Sequence, residues 1–539
     1  MKHINKIFSL LLALVMVLSL TTTAFAANIT IDDGNVIDAE YAAYKLLNAT
    51  DGGEGKFAYT VNEKYRAALQ TVVLAALNKA EGATVTDDEI VAYIASCTTA
   101  TAIRKFADDI YAQVKTMTAD ATTKTNAFND VDQGYYLIVE TATGSVGSFE
   151  EDTFSLVMLD TAGKDNITIE TKEKLPESEK KIKDKNDSTG AVTDWQDSAD
   201  YDIGDDVPFQ ITFTLPADFA VYKTYSVGVH DKQDEDLTFN EKSLTVTVVR
   251  DNATLVDLTD SFTYSAVATC DEECTFHIQC TDIIAAAGTV TLKAGDKIVF
   301  NYTAELGEGA ELGATGNPNE MRVEFSNNPY GDGTSKTPWD KVIVFTYKVN
   351  VDKYAESVDG NKLTGAGFTL YKEVPAGTAN AKTGAAIKAE FATAAAPAAS
   401  IIKAKALDDA KNYIVVAQVD AAADRDTFGF EGVDDGNYVL VETEVPDGYN
   451  AWESVAFTIS ATHDKESADP QLTTLTGGDL VTGEFKDTGI IATKVVNKSG
   501  VELPSTGGIG TTIFYIVGGL LTVGAVVLLV TKKRMGADA

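Results

Sequence analysis

The sequence predicts a mainly β chain, with tandem β-sandwich domains behind an α+β N-terminal domain that carries inserted helices. Three observations lead there. From about residue 176 to 500 the chain is a succession of short alternating apolar–polar runs divided by turn residues, the pattern of half-buried sandwich strands. Between Glu63 and Val114 the apolar spacing changes to a helical period. The chain has 539 residues, 45% of them hydrophobic, a length that suggests about three domains.

Residues 1–26 read as a secretory signal. Lys2 and Lys6 precede an apolar core over residues 7–20, and Ala24-Phe25-Ala26 is a small-x-small site, so cleavage is expected between Ala26 and Ala27. Residues 27–173 form the N-terminal domain. It opens on a strand at Ile29-Thr30-Ile31, and Tyr41-Ala-Ala-Tyr44-Lys-Leu-Leu47 follows. Tyr65, Leu69, Val72, Val73 and Ala76 then recur at helical spacing, Thr86-Asp87-Asp88-Glu89 has the form of a capped helix start, and a further helix is expected near 102–114. Strands return at 134–140, 153–159 and 166–170. Charged residues crowd 172–185 around Pro176, as in a linker running into a new first strand.

Residues 174–349 form the middle domain, with strands expected at 207–215, 243–249, 297–303, 321–325 and 341–349. Residues 350–500 repeat the theme at 367–371, 437–441 and 455–459. The Ala-rich stretch at 379–399 reads as a solvent-side loop or short helix. The tail, 501–539, carries an uncharged run from Thr511 to Val530 followed by Lys532-Lys533-Arg534. Roughly 20 such residues span a bilayer core as a helix, and the cations hold the short end in the cytoplasm.

Composition narrows the function. A formal charge of −36 would repel nucleic-acid phosphates and suits a solvated extracellular surface. Four cysteines do not make a disulfide framework. Cys270, Cys274, His277 and Cys280 could be drawn as a zinc set, but strand alternation puts His277 on the face opposite Cys274 and Cys280. A disulfide within the cluster, or half-buried thiols, suits the spacing better, and no metal or other cofactor is expected. The chain has four His, no zinc motif, no G-x-S-x-G and no plausible Cys–His pair, so no enzyme is expected.

Just before the apolar run stands Leu503-Pro504-Ser505-Thr506-Gly507. Motif, span and basic tail together resemble the LPxTG cell-wall sorting signal of Gram-positive surface proteins. The resemblance implies that a sortase cuts between Thr506 and Gly507 and passes the Thr506 carbonyl to an amine.

A second resemblance starts at Lys353-Tyr-Ala-Glu and runs to Leu363-Thr-Gly365-Ala366-Gly-Phe368. It resembles the opening of a Cna-B-type domain. Tyr438-Val-Leu-Val-Glu442-Thr-Glu-Val-Pro446-Asp-Gly448-Tyr449 is similar to the matching E-box, and Val495-Val496-Asn497 has the place of the closing strand. In that family the Lys attacks the Asn side-chain amide with loss of ammonia while a buried acid assists. The resemblance therefore implies Lys353 as nucleophile, Asn497 as electrophile and Glu442 as acid. Its expected task is to give a proton to the Asn carbonyl oxygen. Glu444 has the same strand parity and stays open as the acid.

The middle domain resembles the second domain of pilin shafts, with Lys180 in the 176–182 strand, Asn319 in the 319–329 stretch, and Asp231 after Val229-His230 as the acid. Lys181, Lys183, Asn327 and Asn328 compete with them. The N-terminal domain departs from the pattern: its first strand, 27–40, contains no Lys, so the E-box-like 134–140 has no nucleophile to serve. A pilin of this kind uses a Lys near the end of that domain to resolve the neighbour's sortase intermediate. The usual Tyr-Pro-Lys is absent, and Lys172, with Lys174 in reserve, occupies the place.

As a whole the chain resembles a SpaA-like, isopeptide-forming major (shaft) pilin assembled by sortase. The implied fold is immunoglobulin-like (Cna-type) sandwiches in tandem. The implied partners are pilus-type and housekeeping sortases, copies of itself head to tail, ancillary or tip pilins and peptidoglycan, with the membrane only for the precursor and no nucleic acid. The implied place is the cell wall, as a surface pilus that supports adhesion. The other reading is a non-polymerised wall-anchored adhesin or ancillary pilin that grips a host ligand.

Overall fold

In the computed structural model, which describes residues 26–34, 36–80, 82–149, 151–170, 175–266, 274–392 and 404–500, most of the alternating runs are strands. The mainly β character is plain, at 47% strand and 14% helix of the described residues. Two units separate. The larger takes in the chain to Lys185, Val192–Thr346 and His463–Thr473; the smaller takes in Asn186–Ala191, Tyr347–Thr462 and the chain from Thr474.

The N-terminal part of the larger unit carries two sheets. In one, Ala26–Asp32 lies between Ala127–Asp132, antiparallel to it, and Asn166–Glu170, parallel to it. In the other, Glu40–Asp51 pairs with Phe57–Val61, Ala121–Thr123 and Gly134–Ala142, and the last of these pairs with Leu156–Asp160. The strand expected at 153–159 thus starts three residues late. Phe154 instead gives its backbone N–H to the Asn327 carbonyl. Helices Arg66–Ala76, Asp87–Ser96 and Ala100–Val114 fill the insert. The second begins on the expected capping box, in which Thr86 and Glu89 satisfy each other's backbone N–H groups.

The remaining part of the larger unit is two sheets face to face. Glu177–Ile182 is the edge strand of one, antiparallel to Asp206–Thr214, which pairs in turn with Lys297–Leu306. The other contains Val227–Gln233 beside Asn317–Ser326, itself beside Asp340–Phe345. Phe209, Phe213, Phe300, Tyr302 and Phe325 fill the space between, because inward positions alternate along each strand.

The run expected as one strand at 341–349 is two. Asp340–Phe345 closes the sandwich just described, and Tyr347–Ala355 opens the smaller unit. There Tyr347–Ala355 lies antiparallel to Thr427–Val433 and parallel to Ile490–Asn497. Gly367–Val374, Gly436–Glu444 and Val455–His463 belong to the second sheet. The Ala-rich stretch starts as a helix, Gly384–Ala392, and residues 393–403 lie outside the described residues. Among the described residues no helix is long and apolar enough to cross a membrane. The signal at 1–25 and the entire tail, 501–539, with its expected span, are outside them.

Candidate functional site

Two fully buried lysines each meet an asparagine amide and a carboxyl group. Lys180 stands on an edge strand between Ser178 and Ile182, so alternation turns it inward with Ile182. Its Nζ donates to Asp231 Oδ2 at 2.7 Å and to Asn319 Oδ1. Asp231 and Asn319 sit on neighbouring strands of the facing sheet, and all three side chains are enclosed. The rings of Phe209 and Tyr302 lie 5.5 and 5.6 Å from the amine.

Burial makes charge costly here. It lowers the Lys180 pKa and raises that of Asp231, against the attraction between them. Asp231 Oδ1 has no hydrogen-bond partner among the described residues, which favours the protonated acid. Sequence reasoning missed Tyr302. Its hydroxyl donates to Asp231 Oδ2 at 2.7 Å and accepts from Asn319 Nδ2 at 3.1 Å. The acid therefore reaches the amide nitrogen through a phenol.

In the smaller unit, Val349, Val351 and Lys353 share the inward face of one strand. Lys353 Nζ donates to Asn497 Oδ1 and lies 3.1 Å from Glu442 Oε1. Asn497 Nδ2 donates to the same Oε1 at 2.7 Å, and the Trp452 backbone N–H holds Oε2 at 2.7 Å. Lys353 and Glu442 are wholly buried and Asn497 nearly so. Burial lowers the Lys353 pKa, opposed by Glu442. Phe368 lies 5.6 Å from the amine.

Each carboxyl group is linked by hydrogen bonds to the nitrogen side of its asparagine amide. Glu442 contacts the amide nitrogen and Asp231 the hydroxyl that contacts it. Glu444 separates from Glu442: it is exposed and caps the Ala421 backbone N–H. The other competitors lie elsewhere. Lys181 pairs with Asp197, Lys183 stacks over Trp195, Asn327 binds the Asp152 carbonyl, and Asn328 accepts from the Tyr330 N–H.

Ala26 and Ala27 open the first strand, opposite Asp132 and Val131. Lys172, Lys174 and residues Leu503, Pro504, Ser505, Thr506 and Gly507 fall outside the described residues. Cys274 is disulfide-bonded, which removes its thiolate from any metal set, while Cys97 and Cys280 are free. In the N-terminal sheet Glu140 occupies a buried position on 134–142 like that of Glu442 but lies beside Asp152 instead of a lysine. Burial and that neighbour raise its pKa to about 9.

Comparison with known proteins gives a SpaA prealbumin-like fold domain at residues 348–471 and an LPXTG cell-wall anchor motif at 495–535. The trypsin-resistant surface T6 protein of Streptococcus pyogenes serotype M6 is 26% identical over 410 residues, covering 68% of this chain and 70% of that protein. The solved T6 backbone pilin of serotype M6, a modular three-domain structure, is similar in fold with a TM-score of 0.50 at 17% identity, over 90% of this chain and 100% of that one. The full-length major pilin SpaD of Corynebacterium diphtheriae aligns at a TM-score of 0.44 and 17% identity, over 88% and 98%. The chain is thus similar to T6 in sequence, to a backbone pilin in fold, and to wall-anchored proteins in its anchor motif.

Proposed function

We propose that this chain is the repeating subunit of a covalent pilus and that two of its buried lysines close internal isopeptide bonds, Lys180 to Asn319 and Lys353 to Asn497. The observation that carries the second part is the pair of dry triads, each an amine, an amide and an acid in contact. Each triad holds one labile proton between amine and acid. On the acid, it leaves the amine with a lone pair facing the amide carbon. The amine attacks that carbon, its surplus proton passes through the carboxyl group to the amide nitrogen, and ammonia leaves. Glu442 would pass the proton directly and Asp231 through Tyr302. The carboxyl groups end as they began, so the reaction is a single self-modification. Fixed contact makes an otherwise hopeless bimolecular step intramolecular.

The reading keeps the division into domains at 27–173, 174–349 and 350–500. Between subunits, sortase would cut after Thr506 and join it to Lys172, or to Lys174, of the next copy. Such a head-to-tail contact does not close, so it builds a fibre. Adhesion would follow from the fibre's reach, together with ancillary or tip pilins. The test is wall material boiled in detergent. A ladder of high-mass species, with a Lys172–Thr506 peptide in its digest and collapse of the ladder in K172A, is the expected result. A single anchored band would instead favour the non-polymerised adhesin.

A further inference from the structure

A third buried lysine, in the smaller unit, meets carboxyl groups and has no role so far. Along Gly367–Val374 the inward positions read Phe368, Leu370, Lys372 and Val374, an apolar row interrupted by one amine. Lys372 is fully buried and its Nζ lies 2.6 Å from Asp434 Oδ1 and 3.0 Å from Asp187 Oδ2. The Tyr438 ring stands 5.8 Å from the amine, and the Tyr438 hydroxyl donates to the same Asp434 oxygen at 3.0 Å. Asp434 is 1% exposed, whereas the Asp187 side chain keeps 16% of its surface. Gly436, at φ 157°, allows the close approach: a Cβ there would sit 2.8 Å from Ser188 Oγ.

We propose that Lys372 and Asp434 form a third intramolecular isopeptide bond, a lysine–aspartate one that releases water. The proposal rests on the reading that buried lysines of this chain react with neighbouring carbonyl groups. With the amine between Asp434 and Asp187, moving the ammonium proton onto a carboxyl group leaves a nucleophile in contact with a carboxylic acid. The Nζ lone pair attacks Asp434 Cγ while Tyr438 stabilises charge on Oδ1. Asp187 accepts a proton from the attacking nitrogen and delivers it to the departing hydroxyl. One C–N bond forms, one C–O bond breaks, and Asp187 ends as it began. Asp434 is the electrophile because it is the nearer and drier of the two and is held by the phenol; Asp187, at the pocket's mouth, is placed to relay the proton. The bond would staple Gly367–Val374 to the turn that begins Gly436–Glu444, its neighbour in the sheet.

Peptide mapping of pilin released from the wall tests this. The expected result is a peptide joining Lys372 to Asp434, about 18 Da lighter than its separate parts, and slower closure in D187N by on the order of a hundredfold. Unlinked Lys372 in material where Lys180 and Lys353 are linked would overturn this bond alone. A Lys372–Asp187 peptide would overturn the choice of electrophile, and a digest with no internal links would overturn both this bond and the reading beneath it.

Discussion

The two lysine–asparagine triads use the same three chemical groups on different frameworks. In the middle sandwich, Lys180 and Asn319 stand on facing sheets, so their bond would cross a gap that no backbone ladder spans. In the smaller unit, Lys353 and Asn497 stand on adjacent parallel strands of one sheet, and only the acid comes from the other. The relay differs too: a carboxyl group on the amide nitrogen in one case, a carboxyl group and a phenol in the other. The proposed chemistry would therefore need three groups meeting in a dry interior, with no particular strand pairing. The mechanical results of the proposed bonds would diverge: one would clamp two layers, while the other would lock the unit's opening and closing strands against sliding.

Removing either amine should have the largest effect. The contacts close stretches of 139 and 144 residues, and cross-links over such lengths restrict the unfolded chain by about 5 kcal/mol each. K180A and K353A should each lower the melting temperature of their own domain by roughly 10–20 °C, leaving the other domain's transition in place. Calorimetry with resolved transitions checks this. A shared collapse would mean that the bonds are not independent.

The relay comes next. D231N and E442Q should fold with the amine and amide still in contact yet close their bonds on the order of a hundredfold more slowly or worse. Y302F sharpens the contrast: it should slow the Lys180 bond alone, followed by mass against time after refolding. Equal rates in Y302F and the unaltered chain would show that Asp231 needs no phenol.

The smallest effect concerns the N-terminal domain, where the buried Glu140 lies beside another acid, Asp152. Because Glu140 has a raised pKa, folding favours its protonated form. That contribution is present at low pH and is lost as pH climbs from the ordinary carboxylate range through about 9. Denaturant melts of this domain should weaken over that window, and E140Q should flatten the dependence.

Much of this was legible in the residues. Lys180, Asp231, Asn319, Lys353, Glu442 and Asn497 were each singled out by motif, and the structure brings them together as two threes. The choice between Glu442 and Glu444 was not open to parity. It turns on where Gly436–Glu444 leaves the core, since every residue from Tyr438 to Glu442 is buried. Tyr302 left a signal that went unread: an inward tyrosine in the row Ile298, Phe300, Tyr302, Ala304 must find a partner for its hydroxyl. Lys372 left the same kind of signal in its own apolar row. The break at Thr346 and the Glu140–Asp152 contact depend on distant packing, which local pattern does not carry.

The most direct test is the intact mass of the folded ectodomain, residues 27–500. Each lysine–asparagine bond removes about 17 Da as ammonia, and pre-organised neighbours should drive both to completion. The account predicts a deficit of about 34 Da from those two bonds, halved in K180A or K353A after correction for the substitution, with any loss of water from Lys372 counted separately. A mass equal to the plain sum of the residues would contradict it.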